Sequence, residues 1–518
     1  MFSIKLLFPL ITLLGLVSCE NHDGDEQPSI QTPEREVQIY PAPPSGWTGG
    51  DKPYNTTGWV GDVMPYFDEG KFHLFFLHDA TVKPEGKGFH AIHKFETGNL
   101  VDYSYKGEMI PFGEIDEPDF AIGTGSVIKH EEQYYFYFTG HNGSPSFTSN
   151  HPRESILCAS SSDLDNWEKL PDFKMTAPQG YFDYEFRDPH VFYNEESQNY
   201  WMLQSTQYED SRDAVILRYT SEDPSKEQWK EEAPLYVSSE KEDYLMMECA
   251  DIFKMGNYWY LFFSENWNEK ATHYRIANSP NGPWIKPEND MLDGEFFYAA
   301  KTASDGNKRY LFGWTARRSP ENDSGNKQWA GNLVVHELLQ KEDGTLGVKP
   351  PKAVSDLFAY ELPLLSTSKI GEVLMTGNNF HLSAAGNYTS SVFEDLEGSR
   401  KITSQLSFEK NQGEVGFFFG GETDMEGAYR IVFLPEENKV KAFNGNNNIA
   451  ITEVSLNLTE GNTYEIEIIC SNDICVVYIN GERALSNRIY RLQKNHWGVF
   501  SHDNEAYFTD LKLNGINP

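Results

Sequence analysis

The chain predicts an all-β fold, a five-bladed β-propeller followed by a C-terminal β-sandwich, and three observations carry that prediction. Aromatic, strand-like runs recur through residues 39–350 at a spacing of roughly 60 residues, each preceded by a short opening segment and followed by a third apolar run. Several third runs lead into a polar turn and a Trp, as at Trp167, Trp229 and Trp284, which is the packing expected between blades. From about residue 366 the pattern changes to short segments of apolar and polar alternation divided by turn residues, the mark of paired antiparallel sheets.

In chain order, Met1 to Val17 places Lys5 ahead of a run of Leu, Ile, Phe and Val too short to span a bilayer, so residues 1–18 read as a secretory signal. Leu16-Val17-Ser18-Cys19 resembles the bacterial lipobox, which implies lipidation of Cys19; an ordinary signal with an incidental Cys is the alternative. Residues 19–38 are acidic and Pro-containing with little to bury, the composition of a solvated tether. Its start, from Glu20 to Glu26, is similar to tags that send some Gram-negative lipoproteins to the outer face of the outer membrane, although a plain linker has the same composition. The expected product is exported and tied to the bacterial outer membrane only by its lipid.

The repeat fills residues 39–350. Its opening segments are Gly61-Asp62-Val63-Met64, Gly125-Ser126-Val127-Ile128, Arg187-Asp188-Pro189-His190, Glu248-Cys249-Ala250-Asp251 and Tyr298-Ala299-Ala300-Lys301. The aromatic strands that follow are 72–76, 134–138, 200–203, 258–263 and 309–314, and the third strands are 90–93, 156–160, 214–219, 274–277 and 332–336. Residues 351–365 read as a linker and 366–518 as the sandwich, with strands expected at 401–408, 414–419, 429–433, 464–469 and 474–479.

A formal charge of −35 over 518 residues argues against nucleic acid and anionic membranes as partners and favours a neutral ligand. Of the five cysteines, Cys158 and Cys249 read as small buried residues, while Cys470 and Cys475 flank a hairpin turn where a disulfide is one of two open outcomes. No Cys/His spacing resembles a metal site, and no phosphate-cradling or dinucleotide motif is present, so no cofactor is expected.

The first strand of each propeller blade lines the central channel, so equivalent positions converge on one axis. Asp62, Asp188 and Glu248 hold such positions, which brings three carboxylates to one funnel. Taken singly, Asp62 reads more readily as a turn or edge residue, and Arg187 with Asp188 equally as a structural ion pair; the three acids taken together read as a site. Trp47, Trp59 and Trp267 are candidates to stack on a ligand, and His73, His78 and His90 read as hydrogen-bonded structural residues.

At this point the residues resemble a known family. Arg187-Asp188-Pro189, Glu248-Cys249, the run from Leu292-Asp293-Gly294 through Tyr298-Ala299 to Gly313-Trp314, and Gln328-Trp329-Ala330-Gly331 are similar to glycoside hydrolase family 32, the β-fructosidases. Val477 to Glu482 with Arg488-Ile489-Tyr490 is similar to that family's closing segment. The resemblance implies a retaining hydrolase, expected to act as a monomer, that cleaves β-fructofuranosidic bonds in a neutral substrate: levan, inulin or sucrose. It implies Asp62 as nucleophile, Glu248 as general acid/base and Asp188 as transition-state stabiliser, without a metal. Trp59, Ser126, Arg187, Tyr298 and Trp314 are the expected substrate-contacting residues. Glu248, beside Met246, Met247 and Cys249, is the expected holder of the proton, and Arg187 is expected to keep Asp188 ionised. Another furanoside such as arabinan, or a glycan-binding lipoprotein without turnover, are the alternatives; retention of all three acids weighs against the second.

The chain also departs from the family. Trp59-Val60-Gly61-Asp62-Val63-Met64-Pro65 stands where the family usually has Trp-Met-Asn-Asp-Pro-Asn-Gly, and Leu77 aligns with a common Gln. Two amides that help to hold the terminal fructose in the family are therefore absent, the mark of a divergent member.

Overall fold

The computed structural model describes residues 37–516 apart from 45–57, 84–85, 240, 267–269, 422–424, 446 and 448. The expected leader, the tether through residue 36 with Cys19, and the loop residues Trp47 and Trp267 lie outside the described residues. No described helix is long and apolar enough to cross a membrane.

Each repeat unit forms an antiparallel sheet. Blade I comprises Gly58–Asp68, Lys71–Ala80, Ile92–Thr97 and Ser104–Ile110; blade II comprises Ala121–His130, Gln133–His141, Glu154–Ser161 and Glu168–Lys169. Blade III is built from Tyr181–Asn194, Asn199–Tyr208, Ala214–Ser221 and Lys230–Glu231, and blade IV from Met247–Met255, Tyr258–Glu265 and Thr272–Ala277. Blade V comprises Phe297–Ser304, Arg309–Ser319, Asn326–Gln340 and Leu346–Lys349, and its third strand meets the first strand of blade I at Gly331 and Val60. The chain's two ends of the repeat are thereby stitched together. In blade I the third strand begins at Ile92 rather than at residue 90, because His90 takes a left-handed turn with φ 62°.

The aromatic runs lack a polar alternate because both faces of each second strand are covered. Phe72, Leu74 and Phe76 pack toward Tyr310 and Phe312 of blade V, while Phe75 and Leu77 pack toward Phe136 and Phe138 of blade II. Period-two geometry thus divides one hydrophobic run between two neighbours.

All five first strands break register at the same place. Pairing with the second strand shifts between Val60 and Val63, between Gly123 and Gly125, at Asp188-Pro189, between Glu248 and Asp251, and between Tyr298 and Lys301. An extra residue in an inner strand re-aims the side chains beside it. Asp188, Cys249 and Ala299 lie at these breaks with φ of 60°, 55° and 53°, a region that costs a residue with a Cβ.

The sandwich stacks an eight-stranded sheet on a seven-stranded one around Phe380, Ile402, Phe417, Ile431, Val477, Trp497 and Phe508. Residues 351–365 are more than a linker: Lys352–Asp356 is a short helix, and Tyr360–Leu362 pairs with Glu505–Gly515 at the sheet edge. Cys470 and Cys475 are direct cross-strand partners and stand as buried free thiols in this core.

The two domains share a core. Ile469, Ile474, Val476 and Tyr478 point out of the sandwich into Tyr260, Phe262, Leu338 and Val348 of the propeller. At the centre of the junction Asp293 accepts the N–H groups of Gly294 and Ser486 at 2.6 and 2.7 Å, and its other oxygen meets the Ser486 hydroxyl and, at 3.0 Å, His336 Nε2. Arg488 reaches back from the sandwich, donating to the Ala316 carbonyl at 2.9 Å and to Asn332 Oδ1 at 2.6 Å.

Removing the Asp293 carboxylate leaves several buried donors unpaired, so Asp293→Ala is expected to cost about 3 kcal/mol and lower the melting temperature by several degrees. A thermal scan that shows the wild-type melting temperature would mean that apolar packing alone holds the junction.

Candidate active site

The register breaks deliver the site. From blade I, Asp62 turns into the funnel, where Thr124 Oγ1 of blade II donates to its Oδ2 at 2.6 Å and Trp314 Nε1 of blade V to its Oδ1 at 3.0 Å. Both oxygens are held by donors from other blades, which fixes the carboxylate plane. From blade III, Asp188 is almost wholly buried; its backbone N–H donates to Thr139 Oγ1 at 2.8 Å, and its Oδ2 accepts the Cys249 N–H at 2.9 Å. The left-handed turn at Cys249 is what aims that N–H at Asp188.

From blade IV, Glu248 receives Arg187 Nη2 and Nε at 2.9 and 3.2 Å on Oε1 and the Tyr298 hydroxyl at 2.8 Å on Oε2. Arg187 is shared: its Nη1 also reaches Glu185 and, at 3.3 Å, Glu154. The guanidinium is therefore set directly among three acids, and it bonds Glu248 rather than the adjacent Asp188.

Burial dominates the electrostatics. It pushes the Asp62 carboxyl up to about 6, against the opposing hydrogen bonds from Thr124 and Trp314, with Glu248 adding to the rise. Asp188 is also raised, first by burial and then by Glu248 and Asp62, with Arg187 pulling the other way. The sequence assigned the raised carboxyl to Glu248 and an ionising role at Asp188 to Arg187; burial raises both aspartates, Arg187 opposes the rise at Asp188, and its hydrogen bonds go to Glu248. Sequence neighbours could not show this, because the pairing is set across blades.

Three residues further along the inner strands the axis is closed. Lys301 Nζ of blade V donates to the Gly125 carbonyl of blade II at 3.1 Å, and His190 Nε2 of blade III lies 3.2 Å from Asp251 Oδ1 of blade IV. Asp251 Oδ2 in turn accepts the Thr302 N–H at 2.6 Å. Burial lowers the Lys301 and His190 pKa values, His190 to about 3, so the imidazole is neutral.

Above this floor opens a pocket of about 380 Å3 lined by Asp62, Glu248, Tyr298 and Trp314, with Asn266, Lys270, Glu295, Lys327, Gln328 and Trp329 at its sides. That volume suits a small ligand. A roomier hollow of about 660 Å3 lies on the sandwich, lined by residues such as Leu364, Phe393 and Arg400, and none of the three carboxylates borders it.

Of the expected contact residues, Tyr298 and Trp314 line the pocket and Arg187 braces Glu248. Ser126 and Trp59 stand elsewhere. The Ser126 hydroxyl is buried between blades, accepting the Val191 N–H at 2.8 Å, and Trp59 lies between the Arg317 and Arg488 guanidinium groups. Ser126 follows the register break of its strand and points to Val191 of blade III, and Trp59 precedes the break of its own strand. Thr124 and Trp329 went unrecognised in the sequence. Thr124 carries no motif, whereas Trp329 stood in Gln328-Trp329-Ala330-Gly331, a run quoted only for its resemblance.

Comparison with known proteins agrees with this arrangement. The model of the glycosyl hydrolases family 32 N-terminal domain matches residues 55–350, and the model described as GH32, BT1760-like, C-terminal domain matches residues 344–513. A raffinose invertase of Escherichia coli is 27% identical over 344 residues, covering 62% of this chain and 68% of the relative. A sucrose-6-phosphate hydrolase of the same species is 24% identical over 324 residues, covering 60% and 63%. The match thus spans about two thirds of these relatives' own length. Among solved structures, the sucrose-6-phosphate hydrolase of Lactobacillus gasseri superposes with a TM-score of 0.68 at 18% identity, covering 89% of this chain and 91% of that one. Fructan 1-exohydrolase IIa of Cichorium intybus superposes with a TM-score of 0.68 at 15% identity, covering 93% and 98%. With two adjoining family models covering the chain from the start of blade I almost to its C-terminus, this protein belongs to glycosyl hydrolases family 32.

Proposed function

We propose that the chain is a retaining glycoside hydrolase that cleaves β-fructofuranosidic bonds in a fructan or in sucrose, with Asp62, Glu248 and Asp188 as its catalytic residues. The observation that carries this reading is the gathering of three carboxylates from three blades: Asp62 and Glu248 line one pocket with Tyr298 and Trp314, and Asp188 is buried close to both, tied to blade IV through the Cys249 N–H.

Asp62 attacks the anomeric carbon. Its two bound oxygens keep it from rotating away, which lowers the ordering cost of the attack. Glu248 gives its proton to the leaving oxygen and later removes one from water; Arg187 and Tyr298 hold it in place through separate oxygens. Asp188, anchored by the Cys249 N–H, carries negative charge toward the oxocarbenium-like ring and accepts its hydroxyls. The charge of the chain suits a neutral sugar.

Incubation with levan, inulin, sucrose and arabinan, followed by product analysis, tests the reading. The unmutated protein is expected to release fructose or fructo-oligosaccharides, and Asp62→Asn and Glu248→Ala to lose at least about 100-fold in kcat. Silence on the fructans and sucrose would sink the proposal.

Asp62→Asn carries a second signature. The folded pKa of Asp62, about 6, lies above the unfolded value near 3.9, so the fold disfavours the charged form. That penalty is absent below about pH 4 and complete above about pH 6. An Asn accepts from Trp314 and donates to the Thr124 hydroxyl, so the inactive variant is expected to melt about 1–4 °C higher than wild type at pH 7.5 and to lose that gain by pH 4. Equal melting temperatures at both pH values would contradict the burial argument.

The same pKa sets the acid limb of activity. Asp62 must be ionised to attack, so kcat/KM is expected to fall about tenfold per pH unit below pH 6, as a pH–rate profile would show.

We also propose export and lipid anchoring through Cys19, on the support of Leu16-Val17-Ser18-Cys19 and the acidic stretch after it. In a bacterial host, Cys19→Ala is expected to abolish palmitate labelling and shift the protein from the membrane to the soluble fraction. Labelling that persists in that variant would refute the anchor.

A further inference from the structure

We infer that Arg488 is a positioning residue for the reaction: from the sandwich it holds the Trp314 strand of blade V against the Asp62 strand of blade I, and so keeps the indole donor on the carboxylate. The inference rests on the fructoside reading above and deepens it.

The seam it spans is thin. Blade V meets blade I where the propeller closes, and among the described residues one register pair, Val60 with Gly331, joins those two strands. The bond from Trp314 Nε1 to Asp62 Oδ1, at 3.0 Å, crosses the same seam. A donor on one blade and an acceptor on another keep that distance only while the blades keep their spacing. A single backbone contact leaves that task to side chains.

Arg488 is buried, and every nitrogen of its guanidinium is engaged. Nε donates to the Ala316 carbonyl at 2.9 Å, Nη2 to the Thr315 carbonyl at 3.4 Å and to Asn332 Oδ1 at 2.6 Å, and Nη1 to Asp473 Oδ2 at 2.7 Å. Thr315 and Ala316 directly follow Trp314, and Asn332 follows Gly331 and pairs with Thr315. On the other side of the seam Arg488 lies over the ring of Trp59, 5.7 Å from its centroid and three residues before Asp62. Arg317 of blade V covers the same ring at 5.8 Å and bonds Asp79, the cross-strand partner of Trp59, at 2.9 Å. The planar fork is what reaches two carbonyls, an amide and a ring at once; an ammonium has no such geometry.

Asp473 balances the charge, so Arg488 acts by shape. The charged and titratable groups around Asp62 are Arg187 and Asp188 of blade III, Glu248 and Cys249 of blade IV, and Tyr298 and Lys301 of blade V. Arg488 hydrogen-bonds none of them, and its path to Asp62 runs through Trp314. Another buried arginine of the sandwich, Arg483, also reaches the propeller but ends on the Asn289 and Leu346 carbonyls, away from the seam.

The test is a set of pH–rate profiles on levan and sucrose for Arg488→Ala, Arg488→Lys, Trp314→Phe, the double variant Arg488→Ala/Trp314→Phe, and Arg483→Ala as a structural control. Loss of the indole bond makes the ionised Asp62 costlier, so the acid limb moves up. Arg488→Ala is expected to raise that limb by about half a pH unit and to lower kcat about tenfold at pH 7, while KM changes by less than about threefold. Arg488→Lys is expected to recover part of both effects, and it carries the test should Arg488→Ala fail to fold. Trp314→Phe is expected to move the limb alike and the double variant to move it no further, whereas Arg483→Ala lowers the melting temperature with the limb in place. An unmoved limb in the Arg488 variants overturns the inference, as do additive shifts in the double variant. A second readout needs no turnover: the melting-temperature gain from Asp62→Asn at pH 7.5 is expected to be larger in the Arg488→Lys background, because a charged acceptor loses more than an amide when the indole moves. An equal gain overturns the inference too. An unmutated protein that releases no fructose overturns the fructoside reading instead, so the two failures are distinct.

Discussion

Several buried acids share one guanidinium at the axis of this propeller, and that imbalance constrains everything around it. Arg187 bonds Glu248, Glu185 and Glu154 at once, while Asp62 and Asp188 stand nearby with no cation of their own in hydrogen-bond contact among the described residues. Burying a carboxylate without a cation is costly, and the fold lowers that cost with oriented neutral donors: Thr124 and Trp314 for Asp62, the Cys249 N–H for Asp188. Those donors come from three different blades, so the charge cluster exists only when the ring is closed. Its closure at Val60 and Gly331 is therefore also the completion of the site.

The strain at the inner strands belongs to the same account. Left-handed backbone at Asp188, Cys249 and Ala299 is unfavourable for residues with a Cβ, yet it turns the Cys249 amide toward Asp188 and lets Glu248 and Tyr298 face each other. The layer beneath supplies the rigidity. Lys301, Asp251, His190 and the Gly125 carbonyl tie four blades together just below the carboxylates, and the sandwich clamps blades IV and V from outside through a shared apolar core and the Asp293 junction. A site that stores strain and unbalanced charge is thus enclosed by two sets of interactions that do neither.

Much of this was legible in the residue order. Aromatic runs at a fixed spacing marked the second strands because those strands are buried on both faces, and the opening segments marked the inner strands because register breaks there put charged residues where strand patterns expect apolar ones. Asp62 and Glu248 could be read as pocket residues on that basis, and Tyr298 and Trp314 from the resemblance to the family. What could not be read was anything decided across blades. Thr124 looks like any strand threonine, Ser126 and Trp59 lie on either side of register breaks that the sequence does not show, and the engagement of Arg187 with Glu248 joins residues on different sheets. The stretch 351–365 reads as a linker because Tyr360–Leu362, the short edge strand that pairs with the last strand of the chain, is too brief to show a pattern.

The departure at residue 61 follows the same logic of exchange between blades. An amide next to the nucleophile would give a ligand a directional hydrogen bond; glycine there gives the space to Trp329, a ring carried by the blade that closes the propeller. Leu77, at the second position where the family's amide is absent, contributes its carbonyl to the same tight packing around Gly61 and buries its side chain in the core between blades I and II. Both substitutions move in one direction, from polar reach toward apolar shape. The close packing at Gly61 therefore couples the strand that carries Asp62 to the last blade through shape.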